Sequence, residues 1–196
     1  MGAPYDVSVV LPFRDDEDVI GNAVHRLAAH LRELGLSFEL LAVDEDSGDN
    51  SHAVLALLRG QVPELRVQHA PFRGRGAEAG IARAQGRTLW VLSAHAAMSP
   101  LATFHRAHEQ VTRDEVDAVI VRQRFAVAHR VRVLGACSGL RGNGPSLLRR
   151  MSRKLAALGL RVDVQELTGA PAPKEPRFRL RDLLAPARRD DVERRI

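Results

Sequence analysis

The amino-acid sequence predicts an α/β domain with a mainly parallel sheet flanked by helices. Short valine-rich apolar runs alternate with longer segments whose apolar residues recur at helical spacing, the pattern of strands joined by crossover helices. The chain has 196 residues, of which 45% are apolar and 27% charged, enough for one domain with a sizeable core. We assign residues 1–168 to this domain and residues 169–196 to a basic tail rich in proline and arginine.

The first two strands are predicted at Ser8–Pro12 and Phe38–Val43, because both runs are short, apolar and rich in branched side chains. Between them, apolar residues recur every three or four positions up to Leu34, and Gly35 ends this helix. The acidic cluster at residues 15–18 suits the N-terminus of the helix, where carboxylates meet unpaired amides.

The same alternation continues along the chain. The predicted elements are a helix capped by Asp49 or Ser51 and ending at Leu58, a strand at Leu65–His69, a helix around Ile81, a strand at Thr88–Leu92, a helix from Ser99-Pro100 to Val111, a strand at Ala118–Val121, a helix at Pro145–Leu158 and a strand at Val162–Leu167. A serine followed by proline is typical of a helix start, and glycine after an apolar helical pattern is typical of its end.

The composition limits the classes of function. No apolar stretch approaches the roughly 20 residues needed to cross a bilayer, so we expect a cytoplasmic protein. The single cysteine, Cys137, excludes an internal disulfide. The net charge is +5, but only two of the 29 basic residues are lysine, and this arginine bias weakens an interpretation as nucleic-acid binding. Because aromatic residues are scarce and no recognition motif is present, we expect no nucleic-acid partner.

Acidic residues follow both of the first two predicted strands. Asp16 and Asp44 would lie at the carboxyl ends of these strands, where open α/β sheets bind their ligands. A carboxylate there can accept hydrogen bonds from a nucleobase imide or from ribose hydroxyls. The alternative is that these residues cap helices or lie in solvated loops.

The turn Arg73-Gly74-Arg75-Gly76 opens a predicted helix. Glycine allows close approach of the backbone, and the free amides at a helix start can bind phosphate. The full dinucleotide fingerprint is absent, because Ala79 stands at the position of its third glycine. An ordinary flexible turn is the alternative.

Several histidines and one cysteine are further candidates for chemistry. His105 and His108 are three residues apart on a predicted helix, and with His95 they could bind a metal through imidazole. Nothing in this spacing matches a specific site, so we interpret them as surface histidines. Cys137 and Ser138 have no activating base close in sequence, which indicates structural residues rather than nucleophiles.

A long segment of the chain lacks acidic residues. None occurs between Asp117 and Asp163, whereas nine arginines and one lysine do. The functional interpretations are binding of a diphosphate, a lipid phosphate or an anionic membrane surface, and the alternative is a solvated basic face.

Six segments carry a resemblance to a known family. They are Val9-Val10-Leu11-Pro12-Phe13-Arg14-Asp15-Asp16-Glu17, Leu41-Ala42-Val43-Asp44-Glu45-Asp46-Ser47-Gly48-Asp49-Asn50-Ser51, the small residues from Gly74 to Gly86, Val121–Phe125, Ser138-Gly139-Leu140-Arg141 and Phe178–Leu184. In their order and spacing over most of the chain, they resemble motifs of family 2 glycosyltransferases of the GT-A fold, and most closely the polyprenyl-phosphate sugar synthases.

This resemblance implies that the protein binds a nucleotide-diphosphate sugar. The nucleotide-binding residues predicted from the resemblance and from the glycine turn are Pro12, Asp16, Asp44, Glu45, Gly74 and Gly76. At the matching later positions, Arg124 and Arg141 would face phosphate groups of the donor or of an acceptor such as a lipid phosphate.

The chain departs from the family pattern where a metal ion is expected. Family members have Asp-x-Asp after the fourth strand, which holds Mg²⁺ or Mn²⁺ against the donor diphosphate, whereas this chain has Ser93-Ala94-His95. The resemblance implies Mg²⁺ or Mn²⁺ as a cofactor. However, serine and histidine do not replace the hard oxygen ligands that these ions prefer, so the expected metal ligands are absent from this chain. An acidic residue before the Ser-Gly-Leu-Arg turn is also replaced, by Gly135-Ala136, and the segment Phe125–Ser138 is shorter than the family's acceptor-binding segment.

Two hypotheses follow from this departure. In the first, Arg124 and Arg141 stabilise the leaving diphosphate in place of the metal, and the protein is a metal-independent transferase. In the second, the protein is a pseudoenzyme that acts as a non-catalytic binding or scaffold protein.

Overall fold

A computed structural model describes residues 2–166 of the chain. Its strands are β1 (Tyr5–Phe13), β2 (Phe38–Asp44), β3 (Leu65–His69), β4 (Gly86–Leu92), β5 (Ala118–Val121), β6 (Phe125–His129) and β7 (Val162–Gln165). Its helices are α1 (Ile20–Glu33), α2 (Ser51–Leu58), α3 (Gly76–Arg83), α4 (Ala94–Ala97), α5 (Ala102–Thr112), α6 (Arg130–Val133) and α7 (Gly144–Ala157). Residues 167–196, which include the predicted tail and its motif at Phe178–Leu184, lie outside the described residues.

The seven strands form one sheet in the order β3-β2-β1-β4-β6-β5-β7. All neighbouring pairs are parallel except the two that involve β6, which runs antiparallel to both β4 and β5. The predicted mainly parallel α/β sheet is therefore confirmed. Six strands end at the same side of the sheet, which we call the carboxyl edge.

Apolar side chains cover both faces of the sheet. Trp90, Leu11 and Leu40 pack on one face against α1, α2 and α5, and Trp90 stacks on Phe104 with ring centroids 3.8 Å apart. The other face packs against α3, α6 and α7, with Val91 at its centre. Because β1 and β2 are covered on both sides, their sequences are continuous apolar runs rather than alternating ones.

The strand β6 is absent from the sequence prediction. It follows β5 through a tight turn in which Gln123 adopts a left-handed conformation (φ +61°). Glycine and asparagine are the usual residues at such a position, so this hairpin has no recognisable turn signal in the sequence. The single-turn helices α4 and α6 are also too short for a periodic pattern to show.

The prediction that the acidic cluster caps the first helix is wrong. Helix α1 begins at Ile20, its N-cap Val19 offers no side-chain hydrogen bond, and its first turn contains no acidic residue. The carboxylates of Asp15 and Glu17 instead bind backbone amides of the loop after β2. No helix among residues 2–166 is both long and apolar enough to cross a membrane.

Candidate functional site

Two loops at the carboxyl edge, which we call the β1 loop (residues 14–19) and the β2 loop (residues 45–50), are joined by carboxylate–amide hydrogen bonds. Asp15 Oδ1 accepts from the Gly48 amide at 2.7 Å, and Glu17 Oε2 accepts from the Asn50 amide at 2.8 Å. In return, Asp49 Oδ2 accepts from the Glu17 amide at 2.9 Å. These three carboxylates therefore hold the two loops together.

Asp44 ends β2 and lies at the floor of the edge. It is buried, and its Oδ1 accepts hydrogen bonds from both the amide and the hydroxyl of Ser47, at 2.9 and 2.7 Å. The second oxygen, Oδ2, has a neighbour only at 3.5 Å, the Nδ1 atom of His69. Among the described residues, Oδ2 thus keeps hydrogen-bonding capacity for a ligand.

His69 and His52 form the side of the site next to Asp44, and no motif of the sequence marks either as a site residue. Their rings stack with centroids 5.2 Å apart and an interplanar angle of 15°. His69 ends β3 in direct register with Asp44 on β2, while His52 lies in the first turn of α2. The position of His69 could have indicated its role, because His69 ends the next predicted strand along the chain after β2. The carboxyl ends of parallel strands meet at one edge of a sheet.

Asp16 and His95 form an ion-pair contact across the middle of the edge. Asp16 Oδ1 lies 3.2 Å from His95 Nδ1, and the two side chains are 13% and 72% exposed. Burial raises the pKa of Asp16, and the nearby His95 opposes this effect. The interpretation of His95 as an isolated surface histidine missed this partner, because the two residues are far apart in sequence.

The residues at the metal-motif position do not fit a divalent ion. The Ser93 hydroxyl accepts a hydrogen bond from the Ala96 amide at 3.2 Å and caps α4, and His95 faces Asp16. Among residues 2–166, no group of three histidine, cysteine, aspartate or glutamate side chains is arranged to hold a metal ion.

Glu45 and Gly76, two of the predicted nucleotide-binding residues, form a hydrogen bond with each other. The buried Glu45 accepts a hydrogen bond from the Gly76 amide, Oε1 to N, at 2.7 Å, so its carboxylate lies at the start of α3. A Cβ atom on Gly76 would lie 2.7 Å from that oxygen and 2.9 Å from Cβ of Pro12. Only glycine allows this approach, and the three residues together fix the base of the edge.

The Ser138–Arg141 turn docks on the start of α3. The Gly142 amide donates to the Gly74 carbonyl at 2.8 Å, and the Gly139 amide donates to the Glu78 carboxylate. Lys154 of α7 donates to the Ser138 carbonyl. Two glycine-containing turns that are separate in sequence thus meet at one end of the carboxyl edge, and Arg141 lies between them and solvent.

Arg124 and Arg141 are both at the carboxyl edge. Arg124 is half-buried immediately before β6, whose first residue is in register with the last residue of β4. Arg141 is exposed in its turn. Neither guanidinium has a hydrogen bond or ion pair with another described residue, so both positive charges are available to an anion.

The remaining sequence candidates lie away from this edge or are inaccessible. His105 lies 3.9 Å from Glu109 on α5, and His108 is buried against Phe104. They do not come together with His95 in a metal site. Cys137 is buried, and burial raises its pKa to about 11, which agrees with a structural thiol.

A groove of about 580 Å³ lies between α7 and the β5–β7 end of the sheet. Its floor is apolar, formed by Ile120, Leu148 and Val164, and the guanidinium-bearing Arg149 and Arg153 line one side. Arg122 at its rim pairs with Glu166 at 2.8 Å. No other described residue forms an ion pair with Arg149 or Arg153, so the groove is both apolar and positively charged.

Three of the solved structures with a similar architecture were determined with a nucleotide or a nucleotide sugar bound. The mannosyltransferase PcManGT of Pyrobaculum calidifontis, in complex with GDP-Man and Mn²⁺, matches 83% of this chain over 55% of its own, with 16% identity and a TM-score of 0.66. TarS 1-349 of S. aureus with UDP-GlcNAc matches 85% of this chain over 60% of its own, at 12% identity and a TM-score of 0.60. Glucosyl-3-phosphoglycerate synthase of Mycobacterium tuberculosis, in complex with Mn²⁺, UDP and phosphoglyceric acid, matches 89% of this chain over 72% of its own, with 17% identity and a TM-score of 0.62.

These likenesses, at such low identity, show the fold alone, and that fold is GT-A. The chain spans 55% of the mannosyltransferase and 60% of the TarS chain, so much of each neighbour has no counterpart here. The sequence model described as "Glycosyl transferase family 2" matches residues 8–133, more than half of the chain. The protein belongs to this family. No curated protein sequence matches it significantly.

Proposed function

We propose that the protein binds the nucleoside diphosphate part of a nucleotide sugar at the carboxyl edge, without a resident divalent metal ion. The observation that carries this proposal is the state of Asp44. Its carboxylate is held by Ser47 through one oxygen, while the other oxygen faces the edge without a close donor. A fixed, buried acceptor of this kind suits a nucleobase N–H group.

The other predicted residues are assigned by their position relative to Asp44. Pro12 and Asp16 border the nucleoside, while Glu45 and Gly76 keep the β2 loop and α3 at the correct spacing. Gly74 brings the Arg141 turn to the edge, and the free guanidiniums of Arg124 and Arg141 would contact the diphosphate. Two arginines supply positive charge that a metal ion supplies elsewhere, since guanidinium groups bind phosphate through paired hydrogen bonds.

The second candidate function is that of a non-catalytic binding protein. Two observations favour it: the metal-motif positions cap a helix and pair with Asp16, and no metal group is found among residues 2–166. A transferase must stabilise the charge that develops on the leaving diphosphate, a contribution of several kcal/mol when a metal supplies it. Whether the two arginines supply enough of it decides between a transferase and a pseudoenzyme.

An amphiphilic phosphate is the second ligand that we propose. The groove beside α7 joins an apolar floor to the unpaired Arg149 and Arg153, and this combination suits the phosphate and first apolar carbons of a lipid phosphate. Its rim residues Arg122 and Gln123 belong to the same turn as Arg124, which places the groove next to the proposed diphosphate site.

Binding of UDP and GDP to the wild-type protein and to Asp44→Ala tests the nucleotide site by calorimetry. We expect saturable binding of at least one nucleotide by the wild type and a loss of tenfold or more in Asp44→Ala, because a charge-assisted hydrogen bond is worth roughly 1.5–3 kcal/mol. Glu115→Ala is the matched control, since it removes an exposed carboxylate at the opposite edge of the sheet. Equal affinities of Asp44→Ala and the wild type would show that the pocket is assigned to the wrong place.

A panel of nucleotide sugars, incubated with and without a chelator, separates the two candidate functions. Sugar release or transfer that persists in the chelator identifies a metal-independent transferase. Binding without any turnover across the panel identifies a non-catalytic protein.

A further inference from the structure

We propose that His69 is a specificity-determining residue of the nucleotide site, which donates a hydrogen bond to the nucleobase beside Asp44, and that His52 holds its ring in position. This inference rests on the proposed function. It adds to the proposed site a residue that no motif of the sequence indicates. It also defines the chemical class of the ligand, a planar heterocycle with adjacent donor and acceptor atoms on one edge.

The contact between His69 and Asp44 is too long to satisfy either group. The atoms Nδ1 and Oδ2 are 3.5 Å apart, whereas N–H···O hydrogen bonds in proteins are usually about 2.7–3.2 Å long. Asp44 Oδ1 is already occupied by Ser47, so Oδ2 is the acceptor that remains. The pair therefore presents one acceptor and one donor, side by side, at the same edge of the sheet.

Strand register keeps this pair in place. Asp44 and His69 are direct partners on the parallel strands β2 and β3, and the Ala70 amide donates to the Asp44 carbonyl at 2.8 Å. The backbone next to both side chains is thus fixed, although the His69 side chain is 68% exposed and the Asp44 side chain only 5%. The carboxylate lies at the bottom, and the imidazole is accessible above it.

His52 restricts the orientation of the His69 ring. The two imidazoles stack nearly parallel, 5.2 Å between centroids, so one face of His69 is covered and its edge carries the hydrogen-bonding atoms. The ion pair between Arg73 and Asp46, at 2.8 Å, lies in the neighbouring β2 loop and the turn after β3. The exposed imidazole edge of His69 thus lies beside the buried carboxylate of Asp44.

The donor–acceptor pair matches an amide edge. A nucleobase with an –NH–C(=O)– edge can donate its N–H to Asp44 Oδ2 and accept from the Nδ1–H of His69 with its carbonyl. Uracil and guanine both present this edge. Ribose and diphosphate have no planar edge of this kind, so His69 would act on the base alone.

Calorimetry with UDP and GDP on four variants tests the proposal. We expect His69→Ala to weaken the tighter nucleotide about tenfold, the loss expected for a hydrogen bond of roughly 1.4 kcal/mol. His69→Gln keeps a side-chain N–H donor and should restore the affinity to within about threefold of the wild type. His52→Ala should lose about threefold, since the stacking contact orients the ring without touching the base. His105→Ala, which removes an exposed histidine on α5, should change nothing.

Two outcomes would overturn the inference while leaving the nucleotide site intact. One is nucleotide binding by His69→Ala that equals or exceeds the wild type, which would mean that His69 is a bystander or an obstacle. The other is equal weakening in His69→Gln and His69→Ala, which would mean that no donor is needed. The absence of any nucleotide binding by the wild type would overturn the proposed function and this inference together.

Discussion

Gly76 lies where β1, the β2 loop and α3 converge, and its missing side chain is a requirement of that packing. We predict that Gly76→Ala lowers the free energy of unfolding by about 1–3 kcal/mol, because the added Cβ would overlap the Glu45 carboxylate and Pro12. Urea denaturation measures the change. Gly135→Ala is the control, since a Cβ there meets nothing within 4 Å. Equal stability of the two variants would contradict the packing described for Gly76.

Asp117 joins the sheet to the loop before β7. Its carboxylate accepts from Arg132 at 2.7 Å and from the Arg161 amide at 2.9 Å. Burial acts to raise the pKa of Asp117, but the hydrogen bonds from Arg161 and Arg132 outweigh it and lower the pKa from 3.8 to about 2. Because the pKa is depressed in the folded state, the stabilisation is present above about pH 4 and is lost as the pH falls towards 2.

We therefore predict that Asp117→Asn lowers the free energy of unfolding at pH 7 by about 1–3 kcal/mol and weakens its dependence on pH between 4 and 2. Asp114→Asn is the matched control: Asp114 also pairs with Arg132, but it is 56% exposed and should contribute less than about 1 kcal/mol. Thermal unfolding at several pH values measures both variants. A larger loss of unfolding free energy in Asp114→Asn than in Asp117→Asn would contradict the role assigned to Asp117.

The sequence predicted individual residues at the carboxyl edge better than it predicted their partners. Asp16 and Asp44 could be placed there because each follows an apolar strand. The neighbours that set their chemistry come from other elements: His95 of α4 contacts Asp16, and His69 of β3 contacts Asp44. Such contacts depend on strand order and register, which a single sequence does not encode locally.

At the scale of elements, the β1 and β2 loops form one unit. Asp49 contributes through both carboxylate oxygens, which accept from the Glu17 amide and from the Ser51 amide and hydroxyl. We predict that Asp49→Ala lowers the free energy of unfolding by about 1–3 kcal/mol, because buried amides lose their acceptors. It should also weaken nucleotide binding, since Asp16 lies within this unit and Asp44 directly precedes it.

Chemical denaturation and calorimetry on the same Asp49→Ala sample check the two effects, with Glu115→Ala as the control. A destabilised variant with unchanged nucleotide affinity would show that the loops need not be joined for binding. An unchanged stability would show that these hydrogen bonds are replaced by water.

The elements that the sequence predicted are those with strong local patterns. The strands β1 to β5 and the amphipathic helices α1 and α7 have clear apolar runs or helical spacing, and the structure places them within a few residues of the prediction. The strand β6 was missed because Gln123 occupies the left-handed turn position, and the caps of α1 and α5 were misplaced by acidic and Ser-Pro signals. For α1, the acidic side chains that suggested a cap bind the β2 loop instead.

At the scale of the whole molecule, the sheet divides the carboxyl edge into two parts. The β3-β2-β1 side holds Asp44, His69 and Asp16, and the β4-β6-β5 side holds His95 and Arg124. The two arginines of the proposed diphosphate site come from different parts of this edge: Arg124 lies immediately before β6, whereas Arg141 lies in the turn that docks on the start of α3. The proposed binding of a nucleotide without a metal ion depends on these two guanidinium groups.

The most direct test of that claim is a calorimetric titration of the wild-type protein with UDP and GDP, first in excess EDTA and then in excess Mg²⁺. We predict one saturable site for at least one nucleotide in EDTA, with an affinity that changes less than about threefold in Mg²⁺, because in the proposed site arginines rather than metal ligands would contact the diphosphate. Binding that appears only in Mg²⁺, or no binding under either condition, would contradict the account.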